Sequence, residues 1–249
     1  MTEDVTENKK KVKLLDDVKD MEYATVLKAR ESWGMFSIMS EFVETTEKLS
    51  EVQAAITIFG SARTKSGDPY YEKCVELAYK LSESGFAIFS GGGPGIMEAA
   101  NKGAFDGASP SVGLNIELPF EQASNQWQDV SVNYRHFFAR KNGLIKYANA
   151  FICFPGGFGT LDEMTEVLTL VQTNKVRQFP IILFGRKFWQ GFMDWTVNTL
   201  LETGMVSEWD VHLLTVTDDV DYVVNHIISY YKDRNITMTS AERLKMMYL

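Results

Sequence analysis

Two glycine-rich stretches combine the residue types and spacing that suit the binding of a phosphate. The first reads Ser90-Gly91-Gly92-Gly93-Pro94-Gly95-Ile96-Met97-Glu98, the second Pro155-Gly156-Gly157-Phe158-Gly159-Thr160-Leu161-Asp162-Glu163. Each follows an apolar, strand-like run and leads into a helix-like pattern. Glycine removes side-chain bulk there, and Pro94 suits the first turn of a helix. A helix N-terminus presents N–H groups that lack intrahelical partners, together with the positive end of the helix dipole, so such a loop can hold an anion through its backbone. Thr160 is placed to cap the second helix, and Glu163, three residues on, completes a capping box. That pairing would steady any helix, so one loop alone is equally well explained as a tight connection. Two of them in one small domain favour a ligand. Neither loop reads G-x-G-x-x-G or G-x-x-x-x-G-K-[ST], which removes support from NAD dehydrogenase and ATPase readings. There is no G-x-S-x-G elbow, and His136, His212 and His226 are scattered without H-E-x-x-H spacing, so neither a serine hydrolase triad nor zinc chemistry is indicated and no metal is implied.

Charge decides how an anion must be held. With 25 basic against 33 acidic residues and a formal net charge of -8, the chain has no net attraction for nucleic acid or an anionic membrane. Any phosphate is therefore bound locally, as backbone donors do. A length of 249 residues with 45% hydrophobic and 23% charged residues fits one sizeable core. Cys74 and Cys153 both lie inside apolar patterns and read as core residues, not as a disulfide or a metal site. Lys9, Lys10 and Lys11 lead into mixed charge without the apolar core of a signal peptide, and no apolar run approaches the ~20 residues that span a bilayer. A cytoplasmic protein with no nucleic-acid or membrane partner is the expectation.

The loops need strands to end and helices to begin at the right places. Residues 1–50 read as an N-terminal arm with a helix over 29–49, 51–235 as the main domain that carries both loops, and 236–249 as a tail. Within the domain, strands are predicted at 54–60, 86–90, 111–116, 130–134, 150–154, 180–184 and 212–216. Helices are predicted at 70–84, 94–105, 136–147, 160–173 and 188–201, with a last one from Asp218. Near-continuous Val/Ile/Phe strands separated by helices indicate a parallel sheet covered on both faces, a doubly wound, Rossmann-like α/β domain. Ligands in such sheets sit beyond the carboxyl ends of the strands, which is where both loops fall.

Taken together, Gly91-Gly92-Gly93-Pro94-Gly95-Ile96-Met97-Glu98 and Pro155-Gly156-Gly157-Phe158-Gly159-Thr160-Leu161-Asp162-Glu163 resemble the Lonely Guy family of nucleotide phosphoribohydrolases, whose members were long labelled "possible lysine decarboxylase". The resemblance runs from about Ile56 to Asp219 and takes in Phe59-Gly60-Ser61-Ala62-Arg63, Gly113-Leu114-Asn115-Ile116 and Arg140-Lys141; it is greatest to the longer bacterial-type branch. It implies hydrolysis of the N-glycosidic bond of a nucleoside 5′-monophosphate, AMP-like or a cytokinin riboside monophosphate, to free base and ribose 5-phosphate. It implies Arg140 and Glu163 as catalytic residues, and Gly92, Gly93, Met97, Glu98, Lys141, Gly156, Gly157, Gly159 and Thr160 as substrate-binding ones. No cofactor follows from it, and a homodimer or higher homo-oligomer does.

The residue chemistry agrees. Glycosidic cleavage passes through an oxocarbenium-like transition state, which a carboxylate near the anomeric carbon stabilises while it orients or deprotonates water. Arg140 has a fixed charge and five donors, suited to phosphate, ribose hydroxyls or a departing base. Glu98 either binds ribose hydroxyls or balances the charge of its helix start. Phe137, Phe138, Phe158 and Trp127 are candidates to stack on a base, but aromatics at such positions more often fill core or interface; Trp189, Phe192 and Trp195 recur at helical spacing and read as core or subunit interface. Two rival readings stand beside the hydrolase. A non-catalytic nucleotide carrier or sensor would use the same loops but has no need of Glu163. A lysine decarboxylase would need a Schiff-base lysine, and neither loop contains a lysine.

Overall fold

Among the described residues, short runs of β-branched and aromatic residues make seven strands: β1 (Ala55–Phe59), β2 (Ala87–Ser90), β3 (Ser111–Ile116), β4 (Val130–Tyr134), β5 (Ala148–Cys153), β6 (Ile181–Phe184) and β7 (Leu214–Thr217). The computed structural model describes residues 21–52, 54–119 and 124–232; the beginning of the N-terminal arm and the predicted tail at 236–249 lie outside the described residues. All seven strands pair in parallel, in the order β4-β3-β2-β1-β5-β6-β7. The helices are α1 (Met21–Lys48), α2 (Pro69–Glu83), α3 (Ile96–Phe105), α4 (Phe137–Lys146), α5 (Phe158–Gln172), α6 (Arg186–Trp195), α7 (Glu208–Val211) and α8 (Val220–Lys232). Among the described residues, those up to Ser40 form one unit and those from Glu41 onward another, so the last turns of α1 belong with the sheet.

Strand alternation divides the core into two layers. Ile56 and Ile58 of β1, Ile152 of β5 and Ile182 of β6 pack with Cys74, Leu77 and Leu81 of α2, Ala99 and Ala100 of α3, and Val223 and Ile227 of α8. On the other face Phe59, Phe151, Cys153 and Leu183 pack with Leu144 of α4, Met164 and Val167 of α5, and Trp189 of α6. A side-chain period of two feeds both layers from the same strands, so the doubly wound reading is borne out. Both cysteines are free and buried in these layers, as their apolar surroundings predicted.

Several boundaries differ from expectation. The first helix already includes Met21, well before 29, and β5 begins at Ala148 and not at 150. The predicted helix over 188–201 opens at Arg186 and gives way to a π-helical turn at Thr196–Leu201. An unpredicted short helix, α7, follows Ser207, whose hydroxyl accepts from the Asp210 N–H while the Asp210 carboxylate accepts from the Ser207 N–H. Pro94 lies outside α3: Gly95 is the cap residue at φ 71°, ψ −128°, so the helix starts at Ile96. Among the described residues no helix is long and apolar enough to cross a membrane.

Candidate active site

Strand order locates the site. From β1 the chain builds outward through β2, β3 and β4, then returns to place β5 on the other flank of β1. The reversal between β1 and β5 opens a crevice beyond their carboxyl ends, where doubly wound sheets bind ligands. A cavity of about 860 Å³ lies there, lined by the loop after β1 (Gly60 to Thr64), by Gly156 to Glu163 and by Arg140. A second, of about 390 Å³, is lined by Gly91, Gly92 and Gly93 with Asn115 and Asn133, and Arg140 and Met97 border both. The two glycine loops follow β2 and β5, which are not neighbours; β1 stands between them. Its loop ties them together: the Ser61 N–H donates to the Pro155 carbonyl and the Ser61 carbonyl accepts from the Ile96 N–H, both at 3.0 Å. Gly95 is required for this approach, because a Cβ there would sit 2.3 Å from the Ser61 oxygen.

The second loop turns into α5 earlier than its composition suggested. Gly157, at φ −93° and ψ −156°, occupies the cap position, and Thr160 is the third helical residue, 6% exposed. The predicted Thr160–Glu163 capping box is therefore not formed. The N–H groups of Phe158, Gly159 and Thr160 precede the first intrahelical bond, made by the Leu161 N–H to the Gly157 carbonyl at 3.1 Å, and so face the crevice end of the helix without intrahelical partners. Gly157 and Gly159 leave open space around this turn, whereas a Cβ on Gly156 would lie 2.1 Å from the Thr160 hydroxyl.

Glu163 stands one turn further in, on the face of α5 that meets α4. Its Oε1 accepts from Arg140 Nη2 across 3.5 Å, with the two side chains 6% and 14% exposed. Glu163 Oε2 and Arg140 Nε are buried without a hydrogen-bond partner among the described residues. Burial raises the Glu163 carboxyl above its ordinary range; Arg140 and Lys141 pull it back, Glu166 and Asp162 add to the rise, and the net shift is upward. A long ion contact with spare polar atoms on both partners is a pair left able to engage a third group. Behind it, burial and then the Glu163 charge hold the Cys153 thiol protonated, so it is no nucleophile.

The remaining predicted residues divide. Lys141 bridges Asp162 and Glu166 of α5 at 2.9 and 2.7 Å and borders neither cavity. Burial works against its charge, but those two carboxylates outweigh it and shift the ammonium upward. Glu98 faces α2, where burial and then this carboxylate push the Tyr71 phenol up to about 12. Trp189 is core, its indole N–H shared between the carbonyls of Cys153 and Phe184 at 3.1 and 3.2 Å, while Trp195 is half exposed. Phe137 and Phe158 line the larger cavity as exposed rings; Trp127 instead packs edge-on against Phe105.

Sequence reasoning missed the polar scaffold of the first loop. Asn101, fully buried, donates to Ser111 Oγ and the Val112 carbonyl and accepts from Asn125. Asn125 and Gln128 donate to the Gly92 carbonyl at 3.0 and 3.1 Å. An asparagine in the middle of α3, eleven residues after Ser90, was the one visible signal, and apart from Ser90 its partners lie beyond the helix.

Known proteins resemble this chain in sequence and in fold. Residues 97–227, more than half of the chain, match the family described as "Possible lysine decarboxylase". A cytokinin riboside 5′-monophosphate phosphoribohydrolase of Oryza sativa subsp. japonica is 29% identical over 167 residues, spanning 65% of this chain and 67% of that protein. Its counterpart in Arabidopsis thaliana is 24% identical over 178 residues, 70% of this chain and 83% of that one. In three dimensions the molybdenum cofactor carrier protein of Chlamydomonas reinhardtii superposes with a TM-score of 0.53 at 20% identity, over 72% of this chain and 99% of the other, a likeness of fold alone. The family match contains Arg140 and the whole second glycine loop, and by it the chain belongs to the Lonely Guy family, the group that the lysine decarboxylase description covers.

Proposed function

We propose that this chain hydrolyses the N-glycosidic bond of a nucleoside 5′-monophosphate, releasing the free base and ribose 5-phosphate. The observation that carries the reading is the buried Arg140–Glu163 contact, with an unpartnered oxygen and an unpartnered nitrogen, one turn from an uncapped helix start. The 5′-phosphate is received by the N–H groups of Phe158, Gly159 and Thr160, and that places the ribose over Glu163. Its carboxylate stabilises positive charge as the C1′–N bond lengthens and takes a proton from the attacking water. The water oxygen bonds to C1′, the C1′–N bond breaks, and the proton given up by water is balanced by the one the departing base gains. Arg140 holds electron density on the substrate side of the pair. The activity named for those relatives, on cytokinin riboside 5′-monophosphates, puts such nucleotides beside AMP among the substrates to test.

The test is incubation of the purified protein with a panel of nucleoside monophosphates in EDTA, without pyridoxal phosphate, and chromatography of the products. Base and ribose 5-phosphate in equal amounts are expected. Cadaverine from lysine, or strict dependence on pyridoxal phosphate or a metal, would overturn the reading; nucleotide binding without products would make the chain a carrier. Arg140→Lys should lose on the order of 10²-fold in kcat, since an ammonium cannot reproduce the planar fork that serves Glu163 and substrate together. Steady-state kinetics beside a thermal melt would check it, and full activity would remove Arg140 from the chemistry.

A further inference from the structure

The residue before α4 is held in an unusual way. Glu41, in the last turns of α1, is 6% exposed, and its Oε1 accepts both the Arg135 N–H at 3.1 Å and the His136 Nδ1–H at 2.9 Å. The other oxygen, Oε2, is buried with no partner among the described residues. Next to it Thr45 and Tyr134 share a 2.6 Å hydrogen bond, and a Cβ on Gly143 of α4 would lie 2.6 Å from that Tyr134 hydroxyl, so α1, β4 and α4 are in close contact at this corner. His136 is the cap residue of α4, and its carbonyl accepts the Arg140 N–H at 3.2 Å. A carboxylate buried with half its hydrogen-bonding capacity unused costs stability that an apolar side chain of similar size would not. Stability alone does not account for it. What it does hold is the start of the helix whose first turn closes at Arg140, the partner of Glu163.

We infer that Glu41 is a positioning residue: through Arg135 and His136 it sets the start of α4 and thereby the placement of the Arg140 guanidinium in the active site. The inference rests on the hydrolase reading for its chemistry and on the contacts above for its geometry. Because Glu41 acts on Arg140 and not on substrate, its removal lowers kcat more than it raises KM. It also does nothing further once Arg140 no longer has a fork to aim. Residues acting through one another are non-additive, whereas a general loosening of the fold adds to any other defect.

The experiment is a double-mutant cycle with AMP. Glu41→Leu is expected to lose about tenfold or more in kcat with little change in melting temperature, and the loss is expected to disappear in an Arg140→Lys background. Glu41→Gln, whose amide oxygen still accepts the Arg135 N–H, should restore most of the turnover. His136→Ala removes one of the two bonds and should show the same non-additivity in smaller measure; it decides the matter if Glu41→Leu does not fold. A kcat for Glu41→Leu within twofold of the parent, or a loss that adds in full to that of Arg140→Lys, overturns the inference. Turnover by the parent is measured first. Its absence would end the hydrolase reading, and the same cycle read as AMP affinity would then judge the clamp by itself.

Discussion

Glu163→Gln is expected to fold, to keep its affinity for a nucleoside monophosphate and to lose at least ~10²-fold in turnover, the usual effect of removing a positioned acid–base group. The substitution keeps shape and hydrogen bonding at a position that is 4% exposed, so a loss would report charge and not packing. The direction of the Glu163 shift adds a second signature. Burial holds its carboxyl above the ordinary glutamate range, so the acid limb of the parent's pH–rate profile lies above that range and is absent from the variant. Stability runs the opposite way. The native state binds this proton more tightly than the unfolded chain does, so stability falls as pH rises from the ordinary glutamate range through the raised value. Near neutral pH the ionised carboxylate is a liability, and Glu163→Gln should melt no lower than the parent. Unchanged turnover with a lower melting temperature would show instead that Glu163 serves only its helix.

Adenosine should be turned over far more slowly than AMP. If at least two of the three N–H groups in the first turn of α5 make charge-assisted hydrogen bonds to the phosphate, at roughly 1.5–3 kcal/mol each, the loss of that group costs on the order of 10²-fold or more in kcat/KM. The energy is gained far from the broken bond and is used to align the ribose against Glu163, so kcat falls with it. The glycines separate ligand contact from architecture. A Cβ on Gly157 meets nothing within 4 Å, so Gly157→Ala should lower the melting temperature only by the small cost of alanine at a cap while raising KM for AMP. Gly156→Ala forces the Thr160 side chain aside and should destabilise the fold itself. Comparable kcat/KM for adenosine and AMP in one buffer would reduce both loops to structural turns.

The elements were legible because their signals are local. Apolar runs such as Ala87–Ser90 and Ser111–Ile116 announce strands within a few residues of their true ends, and the glycine loops after β2 and β5 could be read directly. What could not be read is which strand lies beside which. Nothing within reach of Phe59 in sequence says that β5 pairs with β1, so the reversal point, and with it the part played by Ser61 to Thr64, becomes visible only in three dimensions. Local rules misassigned Thr160 for a related reason. Thr-x-x-Glu is a good cap pattern, but Arg140 competes for the Glu163 carboxylate, and with that partner the helix starts a turn sooner. Glu98 and Lys141 lie in or beside the motifs, yet each is engaged by a residue from another helix, Tyr71 in one case and Asp162 with Glu166 in the other.

Helix α5 begins on a residue that has no side chain with which to cap it. Serine, threonine or aspartate in place of Gly157 would satisfy one of the first N–H groups and add a few tenths of a kcal/mol to the helix, and a second glycine, Gly159, weakens the same turn further. The helix therefore has its least secure end at the mouth of the crevice. Any anion that settles there does the work of the absent cap, so that occupancy and local folding become one equilibrium and saturation with ligand is felt as added resistance to unfolding. In such a protein, affinity for the phosphate and the order of the first turn of α5 rise and fall together.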